Sequence, residues 1–193
     1  MFVRSSNDRQ DQQTGDSELW EALRSGRRQA LDGLFRTHYH HLYNYGLKFC
    51  ADPELARDGI QELFITLWNS RSSLSQAHSV KAYLLTSLRR ILLRSLQSER
   101  SAKRRGTEYS EMQLRPALTA EDFIIHREAE NERRARLQEA LDVLTDRQLE
   151  VLYLRYYNGL TNEEIASVLD INNQSVRNHL TRALGRLKSV IRE

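Results

Sequence analysis

From Ser17 onward the apolar residues of this chain recur three, four and seven positions apart, the spacing that lines one face of an α-helix. Leu19, Trp20 and Leu23 form a first stripe in a helix that opens at Ser17 and stops near Gly26. Leu31, Leu34, Phe35, Leu42, Tyr45 and Phe49 form a second. At Asp52-Pro53-Glu54 a new helix starts: Asp caps it, Pro suits its first position and Glu complements its dipole. That helix carries Leu55, Ile60, Leu63, Phe64, Leu67 and Trp68, and after a Ser-rich loop, Arg71 to Ser79, a fourth runs from Val80 towards Gln97. The pattern fades from Ser98 to Ile125, where Gly106 and Pro116 mark a linker. It returns at Leu137, Leu141 and Leu144, closing a helix that starts near Arg127. No strand pattern competes, and 8 Gly and 2 Pro in 193 residues are few for a protein of many turns. The expected fold is all-α, two small helical domains at 17–100 and 128–193 joined by a linker at 101–127, behind a disordered tail at 1–16.

Several classes are excluded early. No run of about 18 apolar residues exists, so no membrane insertion is expected. Met1 to Asp16 lacks the apolar core of a secretory signal, and the expected setting is cytoplasmic. A single Cys50, expected as a small buried hydrophobe, rules out a disulfide framework and a Cys-based zinc finger. His38 and His41 can share a helix face with His40 beside them, but no Cys, Asp or Glu lies within one turn to complete a metal site. They read as partly exposed helix residues, and no metal is expected. With no nucleophile motif and no Gly-rich phosphate loop, the chain is expected to be no enzyme and to need no cofactor.

Charge is unevenly placed. Arg89 to Arg105 carries +6 and Asn172 to Glu193 carries +4, within a net charge of +3. Two basic stretches in an otherwise acidic chain suggest two polyanion contacts, the alternative being solvated helix faces.

The C-terminal stretch has the finer pattern. Thr145-Asp146-Arg147-Gln148 and Thr161-Asn162-Glu163-Glu164 are both capping boxes. The first opens a helix with Leu149, Val151, Leu152, Leu154 and Tyr156, ended by Asn158-Gly159. The second opens a short helix through Leu169, followed by a turn at Asp170-Ile171-Asn172 and a last helix from Asn173 to Ile191. Short helix, tight turn and longer basic helix is the helix-turn-helix pattern. Val176, Leu180, Ala183 and Leu187 share the core face of the last helix, with His179 as packing at its edge. Gln174, Asn178, Thr181, Arg182 and Gly185 face the other way, flanked by Ser175 and Arg177, with Lys188 a turn further on. Such residue types reach base edges and phosphates in a major groove. The alternative is an ordinary polar face on an amphipathic helix.

The stretch LTDRQLEVLYLRYYNGLTNEEIASVLDINNQSVRNHLTRAL resembles both region 4 of the sigma-70 factors and the DNA-binding domain of LuxR-type regulators. Upstream, ARDGIQELFITLWNSR, Ala56 to Arg71, resembles region 2.2 of the extracytoplasmic-function (ECF) sigma factors. Glu18-Leu19-Trp20, Leu34-Phe35 and KAYLLTSLRR extend that likeness, which covers Ser17 to Glu193. The resemblance implies core RNA polymerase as partner, docked through the clamp helices of its β′ subunit on Arg57, Asp58, Gln61, Glu62, Phe64 and Trp68. It implies a second contact with the flap of the β subunit. It implies capture of the melted −10 strand by Leu74, Lys81, Tyr83, Arg89, Arg90 and Arg94, and reading of the −35 promoter DNA by Gln174, Ser175, Arg177, Asn178, Thr181, Arg182 and Lys188. Relatives often carry Asn and Asp where this chain has Arg90 and Arg94, and one of these arginines could instead pair with Asp58 or Glu62. The linker would thread near the RNA exit channel, Arg104 and Arg105 being either solvated or in DNA contact. An anti-sigma factor is a further implied partner. The other function class is a stand-alone LuxR-like helix-turn-helix regulator.

Overall fold

The computed structural model describes residues 6–103 and 131–192, with side chains over 13–98 and 137–189. Residues 1–5, Glu193, and 104–130 with Arg104, Arg105 and the expected helix start near Arg127 lie outside the described residues. The described residues fall into two compact units, 6–103 and 131–192.

The first unit holds α1 (Ser6–Arg24), α2 (Arg28–Cys50), α3 (Pro53–Asn69) and α4 (Val80–Lys103), with a 3₁₀ turn at Arg71–Ser73. α2 packs against each of the other three. Trp20, Leu23, Leu34, Leu42, Tyr45, Ile60, Leu67, Leu84, Leu88 and Leu92 are fully buried between them. A Cβ at Gly46 would stand 3.2 Å from the methyl of Ala56, so this small pair lets α2 and α3 approach closely. Asp52 caps α3, its Oδ1 accepting from the backbone N–H of Glu54 at 2.9 Å and of Leu55 at 3.1 Å.

Four expectations are corrected here. α1 starts at Ser6, so residues 6–16 are helix and not a disordered tail. Polar pins hold this part where apolar periodicity is missing: Asp16 Oδ1 lies 3.0 Å from His38 Nε2, and Gln13 Nε2 donates to the His78 carbonyl at 3.1 Å. For the same reason His38 is buried, at 1% exposure, and is not a partly exposed helix residue. α4 runs on to Lys103, past the boundary expected at 100, in keeping with the absence of Gly and Pro between Gln97 and Gly106 and with the helix formers Glu99, Arg100, Ala102 and Lys103. Cys50 is half-buried, its thiol donating to the Gly46 carbonyl at 3.0 Å.

The second unit holds α5 (Asn131–Asp142), α6 (Asp146–Leu152), a π turn at Tyr153–Tyr157, α7 (Asn162–Leu169) and α8 (Asn173–Arg192). α8 packs on α5, α6 and α7. Both capping boxes close in both directions, Thr145 with Gln148 and Thr161 with Glu164. The π turn is new. Asn158 N–H donates to the Tyr153 carbonyl at 3.1 Å, and the rings of Tyr153 and Tyr157 stack at 4.6 Å. One extra residue in the turn brings Tyr157 to where Tyr156 would otherwise sit, so Tyr156 is 55% exposed and does not continue the apolar stripe.

Candidate functional site

The resemblance-derived docking residues separate into two sets. Arg57, Gln61, Phe64 and Trp68 share one face of α3 and line a groove of about 660 Å³ against α2, together with Arg28, Leu31, Phe35, Tyr39, Ile60 and Ile65. Phe64 is itself buried, at 6% exposure, and meets Phe35 edge-on at 5.1 Å, so it forms the floor and not a projecting contact. Trp68 is half-buried beneath the guanidinium of Arg71, which sits 4.2 Å from its ring centroid. Asp58 and Glu62 are exposed but lie outside this groove. Glu62 turns to α4, where its Oε1 accepts from Arg94 at 3.0 Å. Two apolar residues that the sequence did not mark as docking groups, Ile65 at 54% and Phe35 at 39% exposure, project into the groove. Their signal was available for Ile65: it sits four residues after Gln61, on the polar side of an otherwise clean apolar stripe.

The second set lies on and before α4. Leu74 is buried, at 8% exposure, and anchors its loop from beneath instead of facing a ligand. Lys81 is half-buried, and Tyr83, 37% exposed, meets the ring of Trp20 edge-on at 4.9 Å. The three arginines differ. Arg89 lies 5.4 Å over the Phe49 ring, Arg94 holds Glu62, and Arg90 is exposed with no ion pair among the described residues. Arg90 and Arg94 rim a cleft of about 460 Å³ between α3 and α4, floored by Leu63, Leu67 and Ile91 and edged by Tyr83 and Ser87. The Arg94–Glu62 pair is well exposed, 69% and 51%, so it is a surface pair and not a buried one.

On α8 the division between faces is clean. Val176 and Ala183 are fully buried with Leu180 and Leu187 half-buried behind them, while Gln174, Arg177, Asn178, Thr181, Arg182 and Lys188 are exposed and Ser175 is half-buried. Asn172 caps the helix, its Oδ1 accepting from Ser175 N–H at 2.7 Å. Gln174 Nε2 donates to Asn178 Oδ1 at 3.1 Å, a ready-made polar pair on the outer face. Asn173 Nδ2 reaches Glu163 Oε1 and ties α7 to α8. The Glu163 carboxyl is held below its usual range by a backbone N–H, by that Asn173 amide and by Arg177 nearby. Arg186 is spent on structure, donating to the Val143 carbonyl at 2.9 Å and to Gln148 Oε1 at 3.3 Å. His179 is half-buried; burial first, then Arg147 and Arg182, lowers its pKa from the ordinary histidine value. Among the described residues no group of His, Cys, Asp or Glu could hold a metal ion, and no helix is long and apolar enough to cross a membrane.

Both units are similar to known proteins. The family models Sigma-70 region 2 and Sigma-70, region 4 match residues 34–102 and 134–187, together well over half of the chain. The ECF RNA polymerase sigma factor SigK of Mycobacterium tuberculosis (strain ATCC 25618 / H37Rv) is 27% identical over 179 residues, 91% of this chain and 94% of that protein. SigK of Mycobacterium ulcerans (strain Agy99) is 24% identical over 174 residues, covering 90% and 91%. CnrH, solved in complex with the cytosolic domain of CnrY, shares the fold with a TM-score of 0.61 at 19% identity, over 92% of this chain and 97% of that one. The sigma factor RpoE of Bartonella quintana, solved with the anti-sigma factor NepR, does so with a TM-score of 0.57 at 16% identity, over 83% and 96%. A region 2 match in the N-terminal unit does not favour a stand-alone LuxR-like regulator. With both regions matched and curated relatives aligned along nine-tenths of its length, the chain belongs to the sigma-70 family as an ECF sigma factor, a factor for promoter-directed initiation by RNA polymerase.

Proposed function

We propose that residues 17–100 dock on the clamp helices of β′ and capture the melted −10 strand, and that residues 128–193 read the −35 duplex and touch the β flap. The observation that carries this division of labour is the split of α8. Fully buried Val176 and Ala183 fix which way the helix faces, leaving Gln174, Arg177, Asn178, Thr181 and Arg182 on its outer side. Those side chains offer the donors and acceptors that a major groove takes up. In the N-terminal unit the exposed apolar groove beside Arg57, Gln61 and Trp68 suits a helical partner, with Arg90 and Tyr83 left for the displaced strand.

An apolar groove of this size is a liability in water, and capture by an anti-sigma factor, as NepR captures RpoE, belongs to the same reading. The protein acts in the cytoplasm as a non-enzymatic initiation factor that uses no cofactor of its own. Run-off transcription with purified core polymerase over a promoter library tests the proposal. Discrete start sites that depend on both upstream elements support it, and transcription indifferent to either element overturns the corresponding assignment.

A further inference from the structure

α1 lies along the loop that leads into α4 and holds it by its backbone. Gln13, Trp20 and Arg24 are seven and four residues apart, within about 40° of one another around the helix axis. Their donors reach three carbonyls of one short segment. Gln13 Nε2 donates to His78 at 3.1 Å, Trp20 Nε1 to Ser75 at 3.0 Å and Arg24 Nε to Leu74 at 2.8 Å. At its ends the loop is closed by a long bond from Leu74 N–H to the Arg71 carbonyl, 3.4 Å, and by Ser79, whose Oγ accepts from Ala82 N–H at 3.3 Å. The indole of Trp20 also packs on Tyr83, so one side chain positions both the loop and the aromatic ring that follows it. The rotation of α1 is set from the adjacent face by the buried Asp16–His38 contact and by Leu23, which is fully buried. None of the three donors falls within the region 2 match, which begins at residue 34.

We infer that α1 is a positioning element for −10 capture, with Gln13, Trp20 and Arg24 holding the backbone of residues 74–78 in the shape that presents the loop and Tyr83 to the displaced strand. The inference rests on the proposed role of that loop. A loop that receives an unstacked base gains discrimination when its shape is set beforehand, because no ordering cost is then charged against the correct base. The donors act on main-chain carbonyls, so they constrain shape whatever side chains the loop carries.

The test uses holoenzyme assembled from core polymerase and the full chain, on promoters randomised across the −10 element. Trp20→Phe keeps a ring against Tyr83 and removes the N–H; Arg24→Met keeps length and removes the donor; Arg24→Lys restores one. Gln76→Ala, in the loop itself, reports on the loop's own role. The expected result is a loss of about fivefold in −10 preference for Trp20→Phe and for Arg24→Met. Amide exchange over residues 75–79 should quicken in both, core affinity and −35 duplex binding should stay within about twofold, and Arg24→Lys should recover most of the loss. Unchanged −10 preference in the two α1 variants, with Gln76→Ala altered, overturns the clamp and leaves the loop's role standing. Unchanged preference in Gln76→Ala as well removes both. A parallel fall in core affinity and −35 binding also overturns the inference, since it marks general destabilisation.

Discussion

Ile65 provides the sharpest test of the docking groove. It is 54% exposed on α3, beside Gln61 and Trp68, and has no structural reason to be apolar. Burying a whole Ile side chain is worth about 1.5–3 kcal/mol, and roughly half of that remains to be gained when a partner covers the groove. Ile65→Ala should therefore weaken core polymerase binding by about 1 kcal/mol, roughly fivefold in Kd. Ile65→Asp should cost more, about 2 kcal/mol, because the carboxylate loses water on docking without a partner of its own. Folding should barely register Ile65→Ala, since half the side chain is already in solvent and Ala is the better helix former, whereas Ile65→Asp, near the C-terminal end of α3, should cost about 0.5 kcal/mol of stability. Glu62 and Asp58 lie off the groove, so Glu62→Ala and Asp58→Ala should leave Kd within about twofold, whereas Gln61→Ala should weaken it. Competition binding to purified core, with circular-dichroism melts alongside, gives both quantities. Wild-type affinity in both Ile65 variants would refute the groove as the docking face, and so would a loss of affinity that merely follows a loss of melting temperature.

Arg177→Ala and Asn178→Ala should each weaken binding to a cognate −35 duplex by about 1–3 kcal/mol, whereas Lys188→Ala should act evenly across sequences and lower the salt slope by about one ion; base-independent loss at all three would reduce α8 to a phosphate clamp. The Glu62–Arg94 pair is exposed, so a double-mutant cycle on thermal stability should return about 0.2–1 kcal/mol, shrinking with salt. Arg90, which makes no such pair, should carry the larger share of −10 salt dependence, and open-complex assays with Arg90→Asn and Arg94→Asp separate the two. His179 has a folded-state pKa below the ordinary 6.5, because burial and then Arg147 and Arg182 disfavour its charged form. The unfolded chain therefore takes the proton more readily, and stability is full above about pH 6.5 and declines as pH falls through the folded value. Urea unfolding of wild type and His179→Gln across that window should show the steeper decline in wild type; equal slopes would refute the assignment.

Short-range chemistry was legible without coordinates. The Asp52 cap and the two threonine capping boxes act within one turn, and each stands where the pattern put it. The helix-turn-helix was legible for the same reason, because α7, its turn and α8 are contiguous and the buried side of α8 follows from its own spacing. The π turn at Tyr153–Tyr157 already falls outside this reach, since its extra residue shifts the phase of an apolar stripe that looked continuous. What joins distant parts of the chain was decided by tertiary structure. Asp16 meets His38 across 22 residues, Arg94 meets Glu62 across 32, and α1 reaches the 74–78 carbonyls across 50 to 65. Polar residues in a segment without apolar spacing resemble a tail, and they become buried or bonded only when a distant part of the chain supplies the partner, the His38 ring for Asp16 and the His78 carbonyl for Gln13. The groove has the same origin: Phe35 and Ile65 belong to different helices, and a shared surface between helices exists only once packing has set their rotation.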